Sequence, residues 1–465
     1  MIGVSPTLHR TSQRSMPLRH WVSLYAPMLL ALLMRVASSS TASLSYLVLA
    51  GFALMGRGQA ILALTLSWLF TMINPDIVVS ASGGGAGRYA VILAAAFTAL
   101  FRSGFSLRHL LVRFFTLSTI LLTVFLIVHS ALLSPIPDVS ILKALSWGLT
   151  MTALLSLWQG LSTHEFNATA NRIYWGLATI LIVSLPFLGL RAGFAVNGTG
   201  FQGVLNHPQA FGMTMALLGA WSGARMLAER QPPWIFIILT GSSLVLVFLS
   251  EARTSGLALV LGVGLSLILS PVYAGRKFLQ MAPGFRSGRV WLVIGSCVIA
   301  ILTTATAFSE LIAKFLSKSN RAGTSNLLEA YDASRGPLID AMLANIAIDP
   351  FRGIGFGIAS HPSMMIVERD TTFGLPLGAA IEKGVAPLAV LEEIGALGAA
   401  LVALWVLRLV RRGAVGGLVP FAVCLTALAL NMGEYTLFSP GGQGLLAMVL
   451  FGWIYASGEQ AIRHA

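Results

Sequence analysis

One pattern repeats from end to end of the chain: an apolar run, a short polar or basic connection, and another apolar run. The runs fall at 21–35, 42–56, 59–75, 89–101, 114–132, 142–160, 174–190, 208–224, 234–250, 256–273, 290–308, 387–407, 416–432 and 442–457. A helix needs about twenty apolar residues to cross a hydrocarbon core about 30 Å thick, and somewhat fewer where its ends snorkel. In hydrocarbon every backbone N–H and C=O must be satisfied inside the protein. Since the strict alternation of a membrane barrel is missing, the runs can only be helices. The expectation is an all-α polytopic membrane protein of about fourteen transmembrane helices (12–14), a single membrane domain over 1–465, in which the second and fourth runs are short. Composition agrees: 56% of residues are hydrophobic, 10% are charged and the mean hydropathy is +0.81, more apolar surface than a soluble fold of this size covers.

The charge balance is +13, from 30 Lys and Arg against 17 Asp and Glu. Spread over a soluble protein this would suggest nucleic acid, but the bases cluster in short loops between runs, so topology accounts for them and no nucleic-acid partner is implied. Threading the runs with the N-terminus inside puts Arg57, Arg102, Arg225, Lys277, Arg408, Arg411 and Arg412 in the cytoplasm, with both chain termini. Arg35, Arg88, Lys143, Arg191 and Arg253 are then the bases left near short outer loops. This is the asymmetry expected of a multi-pass bacterial inner-membrane protein. The polar, basic first residues lead into the first run without a small-residue cleavage site and read as a cytoplasmic tail. Cys297 and Cys424 lie within apolar runs, which points to neither a disulfide framework nor a metal site.

No two halves of the chain are related by a repeat, the pattern of many secondary transporters. One long segment dominates instead, a periplasmic loop over 309–386. Within it, in SRGPLIDAMLANIAIDPFRGIGFG, Leu338, Ile339, Met342, Leu343 and Ile346 recur at helical spacing between Pro337 and Pro350. The spacing predicts a short amphipathic helix at the outer interface. Gly353, Gly355 and Gly357 follow with no strand before them, which excludes a nucleotide-binding loop. They suit a tight loop that re-enters the bundle and passes close to other backbone.

Ionisable groups at the edge of a membrane bundle are costly, which makes each a functional candidate. Arg191 in LGLRAGF, Arg253 in SEARTSG and Arg335 in DASRGPL all fall near the outer boundary. Converging guanidinium groups would bind a phosphate or pyrophosphate by forked hydrogen bonds. Equally, Arg253 would pair with Glu251 or Glu434, while Arg191 and Arg335 would snorkel to headgroups. In GVLNHPQAFGMTMAL, Asn206, His207, Pro208 and Gln209 stand where the eighth run begins, a helix start able to hold an anion or a sugar hydroxyl. In AAIEKGVAPLAVLEEIGALGA, Glu382 and Lys383 precede the twelfth run and Glu392 and Glu393 lie inside it. Carboxylates so placed must be protonated or paired, and either state serves proton transfer or a structural bridge.

The order of these features resembles that of the O-antigen ligase and polymerase superfamily, bacterial membrane glycosyltransferases acting on undecaprenyl-pyrophosphate-linked glycans. The resemblance covers roughly residues 200 to 400 and rests on NHPQAFG, SEARTSGLALVLGV, SRGPLIDAMLANIAIDPFRGIGFG and LEEIGALGA, in that order. It implies glycosyl transfer at the periplasmic face without metal or cofactor. Residues matching Arg191, Arg253 and Arg335 would hold the donor pyrophosphate as the polyprenyl diphosphate leaves. Asn206, His207 and Lys383 join them as substrate-binding positions, and a general base would take the acceptor hydroxyl's proton. Many family members carry a His shortly before the LEEIG-like helix, where this chain has Glu382, Lys383 and Gly384. Glu382 is therefore the expected base and His361 the second choice. That departure leans toward a polymerase of exopolysaccharide, capsule or O-antigen, with a ligase capping lipid A core as the alternative. A lipid-linked oligosaccharide flippase, the alternative of another class, would be expected to show a two-fold repeat. Implied partners are the lipid-linked glycan, membrane lipid, a flippase and chain-length regulator proteins.

Overall fold

The computed structural model describes residues 18–78, 84–104, 114–195, 199–274, 277–303, 327–369, 374, 376–379 and 383–463. Its helices are α1 (Leu18–Ala37), α2 (Ser39–Leu54), α3 (Arg57–Met72), α4 (Gly84–Arg102), α5 (Phe114–Leu133), α6 (Pro137–Gln159), α7 (Thr163–Ser184) and α8 (Pro208–Ala228). They continue with α9 (Trp234–Leu249), α10 (Arg253–Ala274), α11 (Gly288–Thr303), α12 (Leu327–Ile348), α13 (Ala386–Val415), α14 (Leu418–Leu430) and α15 (Gly442–Arg463). Each apolar run falls on one of these helices, and α12 belongs to the long loop. Among the described residues, six segments are long and apolar enough to cross a membrane: Phe115–Leu133, Pro137–Gln159, Thr163–Gly189, Arg253–Tyr273, Ala386–Val415 and Gly442–Arg463.

The boundaries move where caps override hydropathy. The seventh helix starts well before its apolar run because Ser162 and Glu165 form a capping box that satisfies the first N–H groups of a polar opening turn. A second difference is the antiparallel hairpin of β1 (Val367–Arg369) and β2 (Pro376–Ala379), which makes the fold nearly, not wholly, α-helical. Among the described residues the hairpin's two strands pair only with each other. The loop helix also departs from expectation. It begins at Leu327 and carries Pro337 inside it, so Arg335 lies within the helix rather than at its start. Proline's fixed φ is helical, and a single lost hydrogen bond does not end a helix held by packing. Met342 is the member of the expected stripe that is fully buried, while Leu343 stays 47% exposed.

Packing is inside out relative to a soluble bundle. On α5 the inward positions are Thr116, Thr119, Thr123 and Ser130, whereas Leu121, Val124, Val128 and Leu132 face outward at 51–75% exposure. Three of the inward hydroxyls donate to carbonyls one turn back, Thr119 to Phe115, Thr123 to Thr119 and Ser130 to Leu126, while the Thr116 hydroxyl is buried without a hydrogen-bond partner among the described residues. At the centre runs α15, which packs against α3, α6, α13 and α14. Buried indoles meet it there: Trp68 Nε1 donates to Gln443 and Trp158 Nε1 to the Val449 carbonyl, each at 3.1 Å.

Candidate functional site

The helix α13 is broken near its start. Gly395 has φ 65°, a left-handed conformation in mid-helix, and a Cβ there would collide with the Phe351 carbonyl. The break frees carbonyl groups that the loop after α12 uses. Ile354 N–H donates to the Glu392 carbonyl at 2.8 Å, Gly355 N–H to the Glu393 carbonyl at 2.9 Å, and Ala396 N–H to the Pro350 carbonyl at 2.9 Å. The glycines of FRGIGFG are where this docked strand of loop passes closest: Gly353 lies on the Glu392–Glu393 backbone, Gly355 on Ser134 and Gly357 on the Lys143 side chain. The expectation of a loop re-entering the bundle against other backbone is met.

Under that loop lies a buried ionic cluster. Lys383 Nζ stands 2.7 Å from Glu392 and 3.2 Å from Glu393, with all three side chains at 0% exposure. Neutral donors complete the carboxylates: Asn345 Nδ2 reaches Glu392 at 2.7 Å, while Gly357 N–H and Tyr435 Oη reach Glu393 at 2.7 and 3.0 Å. Burial first, and the Glu393 carboxylate beside it, hold the Tyr435 phenol well above its ordinary range, so it remains a donor. The partly buried Lys143 of α6 sits over the rings of Phe356 and Tyr435 at 5.3 and 5.5 Å, within electrostatic reach of Glu393. Thus α6, α12, the re-entrant loop, α13 and the turn before α15 are fastened at one point.

Lys383, expected among the substrate-binding positions, has its ammonium claimed by both carboxylates of α13, with all three side chains fully buried. Sequence reasoning left the pairing of Glu392 and Glu393 open, and the partner is Lys383 rather than an arginine. Lys143, Asn345 and Tyr435 were missed. The available signal was Lys143 itself, a base inside the apolar run SILKALSWG.

The turn before α15 also gathers the other expected residues. Tyr435 N–H donates to the Lys383 carbonyl and Ala386 N–H to the Asn431 carbonyl. Gln209 of α8 donates to Glu434 at 2.8 Å, and Gly433 packs on the Thr254 side chain next to Arg253. His207 is the N-cap of α8, its Nδ1 accepting from Gln209 N–H at 3.1 Å, with Pro208 in the first turn as the sequence suggests. Half-buried Arg253 opens α10 directly after Glu251, whose φ of 54° makes it the one non-glycine residue with positive φ among the described residues. Such a conformation costs on the order of 1–3 kcal/mol and persists only where the surroundings enforce it.

Arg191 is exposed in a 3-10 turn whose neighbour Ala192 accepts from Asn74 Nδ2. The following segment is tied to the end of α9 through Phe201 N–H and the Leu249 carbonyl, and exposed Asn206 is tied through its N–H to Met72. Arg191, Asn206, His207 and Arg253 therefore belong to connected turns at one end of the bundle. His361 is exposed before the turn Pro362–Met364, and its neighbour Ser360 accepts from Asn345, which ties it to the cluster. For Arg335 the backbone alone is described, and Glu382 lies outside the described residues. Cys424 is buried and free, and no group of His, Cys, Asp or Glu suited to a metal is found among the described residues.

The class these features support is a helical membrane protein with a polar, re-entrant loop clasped at one end. Neither the models of known protein families nor the curated protein sequences give a match to this chain.

Proposed function

We propose that the chain is a membrane glycosyltransferase that polymerises a surface polysaccharide, joining lipid-linked glycan units at the periplasmic face of the bacterial inner membrane. In this reading the fourteen bundle helices all cross the membrane, both termini are cytoplasmic, and the loop helix α12 with its re-entrant segment roofs the outer end. The observation that carries the reading is the turn 431–439, which connects the starts of α8, α10 and α13. In this reading the basic and polar residues of those helix starts lie at one membrane boundary, where low dielectric would strengthen their hold on phosphate.

The chemistry follows from the residue types. Arg191, Arg253 and Arg335 take the pyrophosphate of a polyprenyl-linked donor, with Asn206 and His207 beside it. The acceptor hydroxyl loses its proton to a general base, Glu382 first and His361 second. Its oxygen bonds to the anomeric carbon while the bond from that carbon to the phosphate oxygen breaks. The electron pair leaves on the diphosphate, whose growing charge the guanidinium groups neutralise. Lys383 acts differently from its first assignment: locked to Glu392 and Glu393, it fixes the backbone next to Glu382.

The deciding experiment incubates the chain, purified and returned to vesicles, with one defined undecaprenyl-pyrophosphate-linked repeat unit and with lipid A core as a second acceptor. Longer lipid-linked products are expected. Transfer to lipid A core alone would make the protein a ligase, and movement of the intact donor across vesicles without turnover would make it a flippase.

A further inference from the structure

The last two turns of α12 are apolar on the side turned away from the bundle. The inward face carries Met342, fully buried, and Asn345, which reaches the ionic cluster. The outward face runs through Asp340, Leu343, Ala344, Ala347 and Ile348, all exposed. Beyond Asp340 that face holds no polar side chain: Leu343 is 47% exposed, Ile348 82%, and Phe351 just after the helix 76%. A helix bathed in water keeps polar residues outside, whereas one apolar all round is buried in protein or in lipid.

Two contacts fix the depth at which this end stands. Ala396 N–H donates to the Pro350 carbonyl at 2.9 Å and the Phe351 carbonyl lies against Gly395, so Phe351 is level with the break in α13. From Gly395 to Arg411 the helix is unbroken, and at 1.5 Å per residue the span is roughly 24 Å, less than the about 30 Å of a hydrocarbon core. Tilt shortens that span further along the membrane normal. With Arg411 at the inner boundary, Phe351 therefore falls within the outer edge of the hydrocarbon. The apolar surface is also continuous. Leu397, beside Ala396, is 63% exposed and leads along α13 to Leu404 at 53%, on a segment long and apolar enough to cross a membrane. On the other side, His129 Nε2 of α5 donates to the Arg352 carbonyl at 2.6 Å, which holds the loop between two such segments.

We propose that α12 enters the outer leaflet obliquely, with its Asp340 end among the headgroups and with Ile348 and Phe351 among phospholipid acyl chains. Exposed Arg352 has a side chain long enough to reach a headgroup phosphate from there. A helix lying flat on the interface, as the sequence spacing predicts, would keep both ends at one depth. The inference requires that α13 crosses the membrane and does not depend on any transferase activity.

The test uses the full-length protein in vesicles of phosphatidylethanolamine and phosphatidylglycerol. Cys297→Ala and Cys424→Ala remove the native thiols, and a nitroxide is attached in turn to Asp340→Cys, Ile348→Cys and Phe351→Cys. Collision with oxygen, which concentrates among acyl chains, against collision with a water-soluble nickel chelate gives the depth of each label. The labels at 348 and 351 should be oxygen-accessible at a depth of roughly 5–10 Å, that of an apolar helix face in the interface, and the label at 340 nickel-accessible. Nickel access at all three positions, equal depth at 340 and 348, or shielding of 348 and 351 from both reagents by another protein surface would each overturn the proposal. Unfolding in mixed micelles with SDS gives a second reading that needs no label. Phe351→Asp should lower the midpoint while Phe351→Trp leaves it unchanged, because a charge at an exposed position is costly in an apolar surrounding and tolerated in water. Equal midpoints for the two variants would also overturn it.

Discussion

Replacing Lys383 by Met tests the ionic cluster most directly. The side chain is fully buried between two carboxylates at 2.7 and 3.2 Å, so the substitution removes one positive charge and leaves the buried Glu392 and Glu393 without their shared cation. Breaking a buried pair from one side costs about 3–5 kcal/mol, mostly the cost of the uncompensated charge left behind. The donors from Asn345, Gly357 and Tyr435 remain and put the expected value toward the lower part of that range. Adding Glu392→Gln should reverse part of the damage. Glu393 then keeps its hydrogen bonds from Gly357 and Tyr435 and its electrostatic partner Lys143. The double variant should therefore recover about 2 kcal/mol relative to Lys383→Met alone, within the coupling seen for residues in direct contact. Unfolding in mixed micelles with a rising fraction of SDS, followed by circular dichroism, measures both quantities. A loss below about 1 kcal/mol for Lys383→Met, or strictly additive losses in the double variant, would refute a coupled, desolvated cluster.

Other consequences reach the loop and the transfer reaction. Gly395→Ala forces a side chain into a left-handed conformation costing about 1–2 kcal/mol and also drives its Cβ into the Phe351 carbonyl. Limited proteolysis within 349–369 should accelerate, and an unchanged cleavage rate would mean the break does not hold the loop. Arg253→Ala and Arg335→Ala should abolish polymer formation at normal membrane abundance; unaltered glycan length profiles in both would remove them from donor binding. Glu382→Gln should lower the transfer rate by at least about a hundredfold, the usual contribution of a general base, whereas a larger loss in His361→Ala would exchange their roles. Reporter domains fused after Asp340 and after Lys277 should report opposite compartments, and agreement between them would break the threading.

How much of this was legible follows from the range of each interaction. Hydropathy places a helix on every apolar run, because in α5 or α14 the signal is local and each residue carries its own preference for lipid. The helix start at Pro208, capped by His207, and the close approach at Gly353, Gly355 and Gly357 were also readable, since proline and glycine restrict the backbone wherever they stand. The hairpin and the early start of α12 were not readable, because short elements in a long loop depend on what they pack against.

The sequence alone determined where apolar helices form, together with the concentration of charge at a few positions, because desolvation acts on each residue separately. Tertiary structure decided which charges meet. Lys143, Asn345, Lys383, Glu393 and Tyr435 come from distant parts of the chain and lie together only after the bundle closes. A buried charge is tolerable solely beside its partner, so its identity as lock or ligand belongs to the fold and not to the residue.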